Sequence, residues 1–169
     1  MQIVVKDGLV LALHADRQNI SSLYPGSLVL PVSTGTPVAI GQPWDVDLDA
    51  ARAAVCAEID ATAETLRGTV LTPGSGQMAA YQAKEGQARA LLADPTPTEG
   101  EYPDIFNEIG ITAASAGEVA MAVMAAAERW RAYGRAVERV RLSAKKAVAE
   151  ASALSGVLAA RDHVDWPQC

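Results

Sequence analysis

Aromatic side chains are scarce: Phe, Trp and Tyr make up 5% of a 169-residue chain in which half of all residues are hydrophobic. Alanine supplies much of that apolar total. It favours helix but buries little area per residue, so the expected core is thin packing of helix on helix. Histidine is nearly missing, with His14 and His163 alone, and cysteine is limited to Cys56 and Cys169. Two isolated histidines with no ligand-type neighbour at workable spacing match no familiar zinc set, so neither a metal nor an organic cofactor is expected. One cysteine inside a helical pattern and one at the last position suit a reduced compartment better than a disulfide framework. No stretch approaches the ~18 apolar residues of a membrane span. The opening Met1-Gln2-Ile3-Val4-Val5-Lys6 lacks the long apolar run of a signal peptide. The expectation is a soluble protein made in the cytoplasm and not secreted by a signal peptide. Basic charge is also short. A net charge of −6 disfavours general binding to nucleic acid or anionic membranes.

That deficit is uneven. Residues 1–114 carry 6 basic and 14 acidic groups, net −8, whereas residues 115–150 carry 7 basic and 4 acidic groups, net +3. A solvated helix face beside an acidic body accounts for this pattern, and a docking surface for an acidic partner is the sharper alternative.

What is present divides into two styles. Residues 1–43 read as a small antiparallel β module. Apolar runs at Ile3-Val4-Val5 and Leu9-Val10-Leu11 flank Asp7-Gly8, a strong hairpin signal because a type I′ turn needs positive φ at both central residues. Ser27 to Val32 predicts a third strand, and Thr36 to Ile40 a short edge piece. Three or four short strands are barely enough for independent stability, so the module must lean on something else. After Gly41-Gln42-Pro43-Trp44, residues 44–169 read as an Ala-rich helical hairpin or bundle, making the whole an α+β chain. Asp45 or Asp47 caps a first helix to about Leu66, with Leu48, Val55, Ile59 and Leu66 on one stripe and Gly68 as its stop. Thr72 to Gly76 reads as a turn, with Ser75 capping a second helix through Met78, Tyr81, Ala88 and Leu92. A short helix opens at Pro103 and closes at Gly110.

The clearest element is a long helix over about 115–153, roughly 55–60 Å at the standard rise. Ser115 and Glu118 fit a capping box. From there Val119, Val123, Ala126, Trp130, Tyr133, Val137, Val140, Ala144 and Ala147 recur at alternating spacings of four and three, a coiled-coil-like heptad seam. Val119, Val123, Trp130, Tyr133, Val137 and Val140 are its candidate interface residues. If the shorter helices leave them uncovered, they form an apolar patch of a few hundred Å² that soluble monomers seldom expose. Self-association or a docked partner would cover it. Leu154 to Ala160 predicts a last helical turn or two.

Sites with chemistry are thin. Asp45, Asp47 and Asp49 alternate like the start of a calcium loop, but Ala50 and Cys56 stand where that loop needs Gly and Glu. Gly74-Ser75-Gly76 precedes a helix without the lysine of a phosphate-binding loop. Cys56 could pair with a histidine as a nucleophile only through the fold, and a buried thiol is the plainer reading. No catalytic, cofactor-binding or metal-binding residues are expected.

Three stretches carry a family resemblance. The opening through Leu23-Tyr24-Pro25-Gly26 to Trp44, the segment Leu71-Thr72-Pro73-Gly74-Ser75-Gly76-Gln77-Met78 with Tyr81 to Glu85, and Tyr102-Pro103 with Glu108-Ile109-Gly110-Ile111-Thr112 resemble small bacteriophage and prophage tail-module proteins, including the tail fibre assembly type. The resemblance implies a setting: a non-enzymatic tail protein that binds fibre, tail-tip or baseplate proteins, as a structural component or as an assembly factor, in the virion tail or the host cytoplasm, with homo-oligomerisation as one outcome. A phage-encoded regulator of a host protein and a small envelope-degrading hydrolase are the alternatives.

Overall fold

Asp7 and Gly8 have φ of 52° and 76°, both positive, as the type I′ turn requires. This geometry belongs to a computed structural model that describes residues 1–15, 20–33, 35–70 and 74–168. The turn joins β1, Gln2–Lys6, to β2, Leu9–His14, and β1 also pairs with β3, Leu28–Pro31, giving an antiparallel sheet of order β2-β1-β3. Ile3, Val4 and Val5 are all buried because both faces of the sheet are covered. Ile3, Val5, Val10, Leu28 and Leu30 belong to one apolar cluster, and Val4, Val29 and Ile20 to another. A bulge interrupts the β1–β2 register: Val4 faces Ala12 and Val5 faces Val10, so Leu11 has no opposite residue. His14 is fastened to Tyr24 by a 2.9 Å hydrogen bond and an edge-on ring contact.

The expected edge piece at Thr36 to Ile40 is not a strand. Gln42 folds residues 39–42 into a turn, its backbone N–H donating to the Ala39 carbonyl at 3.1 Å while its side-chain oxygen accepts from the Ala39 N–H at 3.1 Å. The edge pairing falls after this turn instead. Val10 donates to the Gln42 carbonyl at 2.9 Å, Gly41 donates to Val10 at 2.8 Å and Trp44 donates to Gly8 at 2.8 Å.

Five α-helices follow among the described residues: α1, Leu48–Thr69; α2, Ser75–Leu91; α3, Pro103–Phe106; α4, Ala116–Glu150; and α5, Leu154–Asp162. Asp47 caps α1, its carbonyl accepting from Ala51 at 3.0 Å and its carboxylate from the Asp49 N–H at 3.3 Å. The buried stripe is Ala51, Val55, Ile59 and Ala63, spaced by four, so Leu48 and Leu66 lie at its margin and are half-buried. Gly68 sits inside the last turn rather than stopping the helix. Gly74, not Ser75, occupies the cap position of α2, and Leu91 is buried in place of Leu92. Leu71, Thr72 and Pro73 of the expected turn, and Cys169, lie outside the described residues. The helix expected from Pro103 to Ile109 ends at Phe106, and Gly110, at φ 81°, makes a tight turn in which its N–H donates to the Ala113 carbonyl at 2.7 Å.

Half of the expected capping box of α4 forms: the Glu118 N–H donates to the Ser115 hydroxyl oxygen at 3.4 Å, whereas the Glu118 carboxylate accepts from that hydroxyl at 3.0 Å rather than from the Ser115 backbone N–H. The helix has 35 residues, about 52 Å of length. It stops at Glu150 because the chain turns extended, Ala153 having φ −143° and ψ 157°. In α5, a Cβ on Gly156 would stand 3.1 Å from the Ala151 Cβ, so glycine allows this close approach.

Two compact units divide the chain differently from the expected change of element type at residue 43. The first comprises Met1–Thr65 and Val137–Gln168. Its main core joins the sheet cluster to Ala51, Val55 and Ile59 of α1, Ala144 and Val148 of α4, and Val157 of α5, with Trp44 and Trp166 against it. A three-stranded sheet needs such a covering layer, which is why the β module is not a separate body. The second comprises Leu66–Ala136, with a core of Ala88, Leu91, Ile105, Val119 and Ala120.

Replacing Gly8 by Val puts a β-branched residue at positive φ, which costs a side-chain-bearing residue about 1–2 kcal/mol. Urea unfolding should show a lower midpoint with an unchanged slope, and Gly8→Asn a smaller loss. Equal midpoints for Gly8→Val and the parent chain would contradict the turn.

Candidate functional site

In the second unit, α2 and the first part of α4 hold a groove of about 360 Å³ between them. Met78 and Tyr81, one turn apart on α2, face Val123, Ala126, Ala127 and Trp130 from α4. The helical period explains the alignment: spacings of three and four put these side chains on one face of each helix. The charged groups in the wall are neutralised within it. Lys84 forms an ion pair with Glu108, whose carboxylate also accepts the Thr112 hydroxyl at 2.7 Å. These two partners, Lys84 first, hold the Glu108 carboxyl below the usual glutamate range. Glu85 pairs with Arg131 and, at 2.5 Å, with Arg89. The site is an apolar trough with a balanced rim, suited to an uncharged occupant.

The six seam residues are not one surface. Val123 and Trp130 line the groove, half-buried. Val119 is fully buried in the second unit's own core. Tyr133 is half-buried. Val137 and Val140 belong to the stretch of α4 counted with the first unit, the former fully buried and the latter half-buried. Ala126 and Ala147 are exposed, and burial near the helix end runs through Ala144 and Val148. A straight α-helix drifts by about 20° per heptad, so a seam with a strict seven-residue repeat slides off one face over four heptads. Sequence reasoning left out Met78, Tyr81 and the Lys84–Glu108 pair as site residues. The first two are legible as positions along the second helix, without a sign of what they face.

The first unit contains a second hollow, of about 410 Å³. Ala50, Ala53, Ala54, Ala57 and Ala61 of α1 line it with Val29, Pro31, Gln2, Ser21 and Glu58. The Glu58 side chain is 17% exposed, with Arg161 Nη1 4.0 Å away. Its Oε1 is enclosed and has no hydrogen-bond partner among the described residues, and the same holds for Gln2 Oε1. Burial pushes the Glu58 carboxyl above the usual glutamate range; the Ser21 hydroxyl and Arg161 oppose the shift, and Asp162 adds to it. Nothing in the sequence pattern marks Glu58, because its burial arises from residues distant along the chain. A carboxyl acting as a general acid works with a second carboxylate or a nucleophile. Among the described residues lining this hollow, Glu58 is the one ionisable group.

The other sequence candidates fall apart in space or take structural roles. His14 is bound to Tyr24, His163 Nδ1 lies 2.8 Å from the Ala159 carbonyl, and Cys56 packs beside the first unit's core. Asp47 caps α1 and Asp49 pairs with Arg52 at 2.6 Å. Among the described residues there is no group of three or more His, Cys, Asp or Glu placed to hold a metal ion. No described helix is long and apolar enough to cross a membrane. Much of the basic charge of α4 is engaged within the chain: Arg141 and Lys145 each reach Asp60 at 2.7 Å, and Arg131 reaches Glu85. Set beside models of known protein families, curated proteins and solved structures, the chain matches none of them.

The raised Glu58 carboxyl has a consequence for stability. The folded state binds its proton more tightly than the unfolded state, so this group's contribution is fully present below the ordinary glutamate pKa of about 4.3. It is lost as pH rises through the folded value. Glu58→Gln should therefore be more stable than the parent chain at neutral pH, with the difference shrinking toward zero under acid. Denaturant midpoints across that range are the measurement. A variant less stable at neutral pH would show that the Arg161 and Ser21 contacts outweigh burial.

Proposed function

We propose that the chain works without catalysis, by binding other proteins, in the tail apparatus of a tailed bacteriophage or prophage. Its role there is that of a tail fibre or tail-tip component, or of the assembly factor for one. The groove between α2 and α4 carries the binding part of this reading. It combines Trp130, Tyr81 and Met78 with a rim whose charges are already paired. Aromatic anchors in a trough of this kind are what protein interfaces use for most of their affinity. The paired rim leaves no charge to be stranded when a partner excludes water.

The tail setting rests on the sequence resemblance at the opening, at Gly74-Ser75-Gly76-Gln77-Met78 and at Glu108-Ile109-Gly110-Ile111-Thr112. The second and third of these supply groove residues, Met78, Glu108 and Thr112. Fibre, tail-tip and baseplate proteins are accordingly the proposed partners, in the virion tail or in host cytoplasm during assembly. Mass spectrometry of purified particles beside infected-cell lysate separates a virion component from a transient factor.

Two substitutions on α4 separate docking from folding. Ala126 is exposed and lines the groove, so Ala126→Glu should leave stability within about 0.5 kcal/mol. It should abolish capture of the phage's own fibre or tail-tip proteins in a pull-down. Val137 is fully enclosed, so Val137→Glu should cost about 3–5 kcal/mol by burying an unpaired charge. Undiminished capture by Ala126→Glu would remove the groove from the proposal.

A further inference from the structure

The groove has a ready occupant on the surface that carries it. Ile111 is 81% exposed, the most exposed large hydrophobic residue described. Its neighbour Thr112 lines the groove. The turn that presents it is fixed: Gly110 donates to the Ala113 carbonyl at 2.7 Å, and Ile111 and Thr112 donate to the Glu108 carbonyl at 3.0 and 2.9 Å. The Thr112 hydroxyl holds the Glu108 carboxylate, itself part of the groove wall. An apolar knob therefore stands, preorganised, beside an apolar hole.

We propose that the groove takes the Ile111 turn of a second copy of this chain, in a two-fold dimer where each copy fills the other's groove. The inference rests on the reading of the groove as a docking surface and names its occupant. Charge supports it. Residues 109–114, Ile-Gly-Ile-Thr-Ala-Ala, carry none. The groove's ionic groups are matched internally as Lys84 with Glu108 and Glu85 with Arg131 and Arg89. A neutral turn meets a neutral trough, and no ion is left unpaired on closure. Geometry supports it too. In a two-fold contact the same patch serves both partners, which requires knob and hole on one surface. Ile111 lies between Glu108 and Thr112, both in the groove wall, so knob and hole are carried by one short turn. A tail protein entering the groove then displaces the second copy, so self-association shields the docking surface until a partner arrives.

Sedimentation of the full chain over a concentration series is the test. The parent chain should show a reversible monomer–dimer equilibrium. Ile111→Glu and Ala126→Glu should each weaken it at least about tenfold, equivalent to about 1.4 kcal/mol. Ile111→Ser, which adds no charge, should act in the same direction. Both positions are exposed in the folded chain, and circular dichroism checks that the helices persist. A monomeric parent chain, or variants that dimerise as it does, would overturn the dimer. If the parent is monomeric while Ala126→Glu alone loses fibre-protein capture, the dimer falls and the docking reading stands. If the parent dimerises through Ile111 but fibre-protein capture ignores Ala126→Glu, the dimer stands and that reading falls.

Discussion

A short sheet that cannot stand alone is the constraint on which the first unit depends. Three strands of four to six residues bury both faces only if other chain segments cover them. Val55 and Ile59 of α1, Val148 of α4 and Val157 of α5 supply that cover against Ile3, Val5, Leu28 and Leu30. These contributors are scattered from the first residues to nearly the last, so the unit closes only when both ends of the chain are present. Alanine makes the arrangement possible. Ala51, Ala63 and Ala144 are buried at helix surfaces where a larger side chain would hold the partner layers apart.

Thin apolar packing leaves more of the joining to charge. Asp60 takes both Arg141 and Lys145, which lowers its carboxyl below the usual aspartate range, Lys145 contributing most. Asp60 is about half exposed, so solvent screens the pair and its worth to stability is modest. Its effect is on register: three charges fix which turn of α1 meets which turn of α4. In the second unit, Glu85 with Arg131 does the same for α2 and α4 while leaving the apolar trough open beside it. The excess of basic residues over 115–150 is thereby turned inward in good part, which is why that charge does not read simply as a basic docking face.

Glu58 is the exception to this economy of pairing. Arg161 is near it at 4.0 Å but is already engaged with the Ser27 carbonyl at 2.7 Å and with Asp162 at 2.8 Å. A shared cation compensates burial incompletely, and the carboxyl favours its neutral form. The hollow beside it is lined by Gln2, Ser21 and Glu58 among alanines. The groove and this hollow thus differ in kind: one is apolar with paired charges at its rim, the other encloses two oxygens, Gln2 Oε1 and Glu58 Oε1, with no hydrogen-bond partner among the described residues.

Local chemistry was legible along the chain. Asp7-Gly8 announces its turn because few residues tolerate positive φ, Ser115 announces a helix start because its hydroxyl accepts from the backbone N–H three residues on, and Pro103 and Gly110 bracket a short helical element for similar local reasons. The α+β class and the existence of a long helix followed from period alone. Period does not say which residue of an alanine-rich stripe finds a neighbour. Val119 and Val137 lie in core while Ala126 and Trp130 line the groove, though all four share one heptad seam. The boundary at residue 43 marked a change of local structure, whereas the compact units were set by which distant segments cover the sheet. Glu58 and the Lys84–Glu108 pair belong wholly to that second category. The sequence by itself determined what depends on neighbours within a few residues: turns, caps, helix and strand. Burial, the balance of charge and the groove were decided by tertiary structure, because each depends on groups brought together from separate parts of the chain.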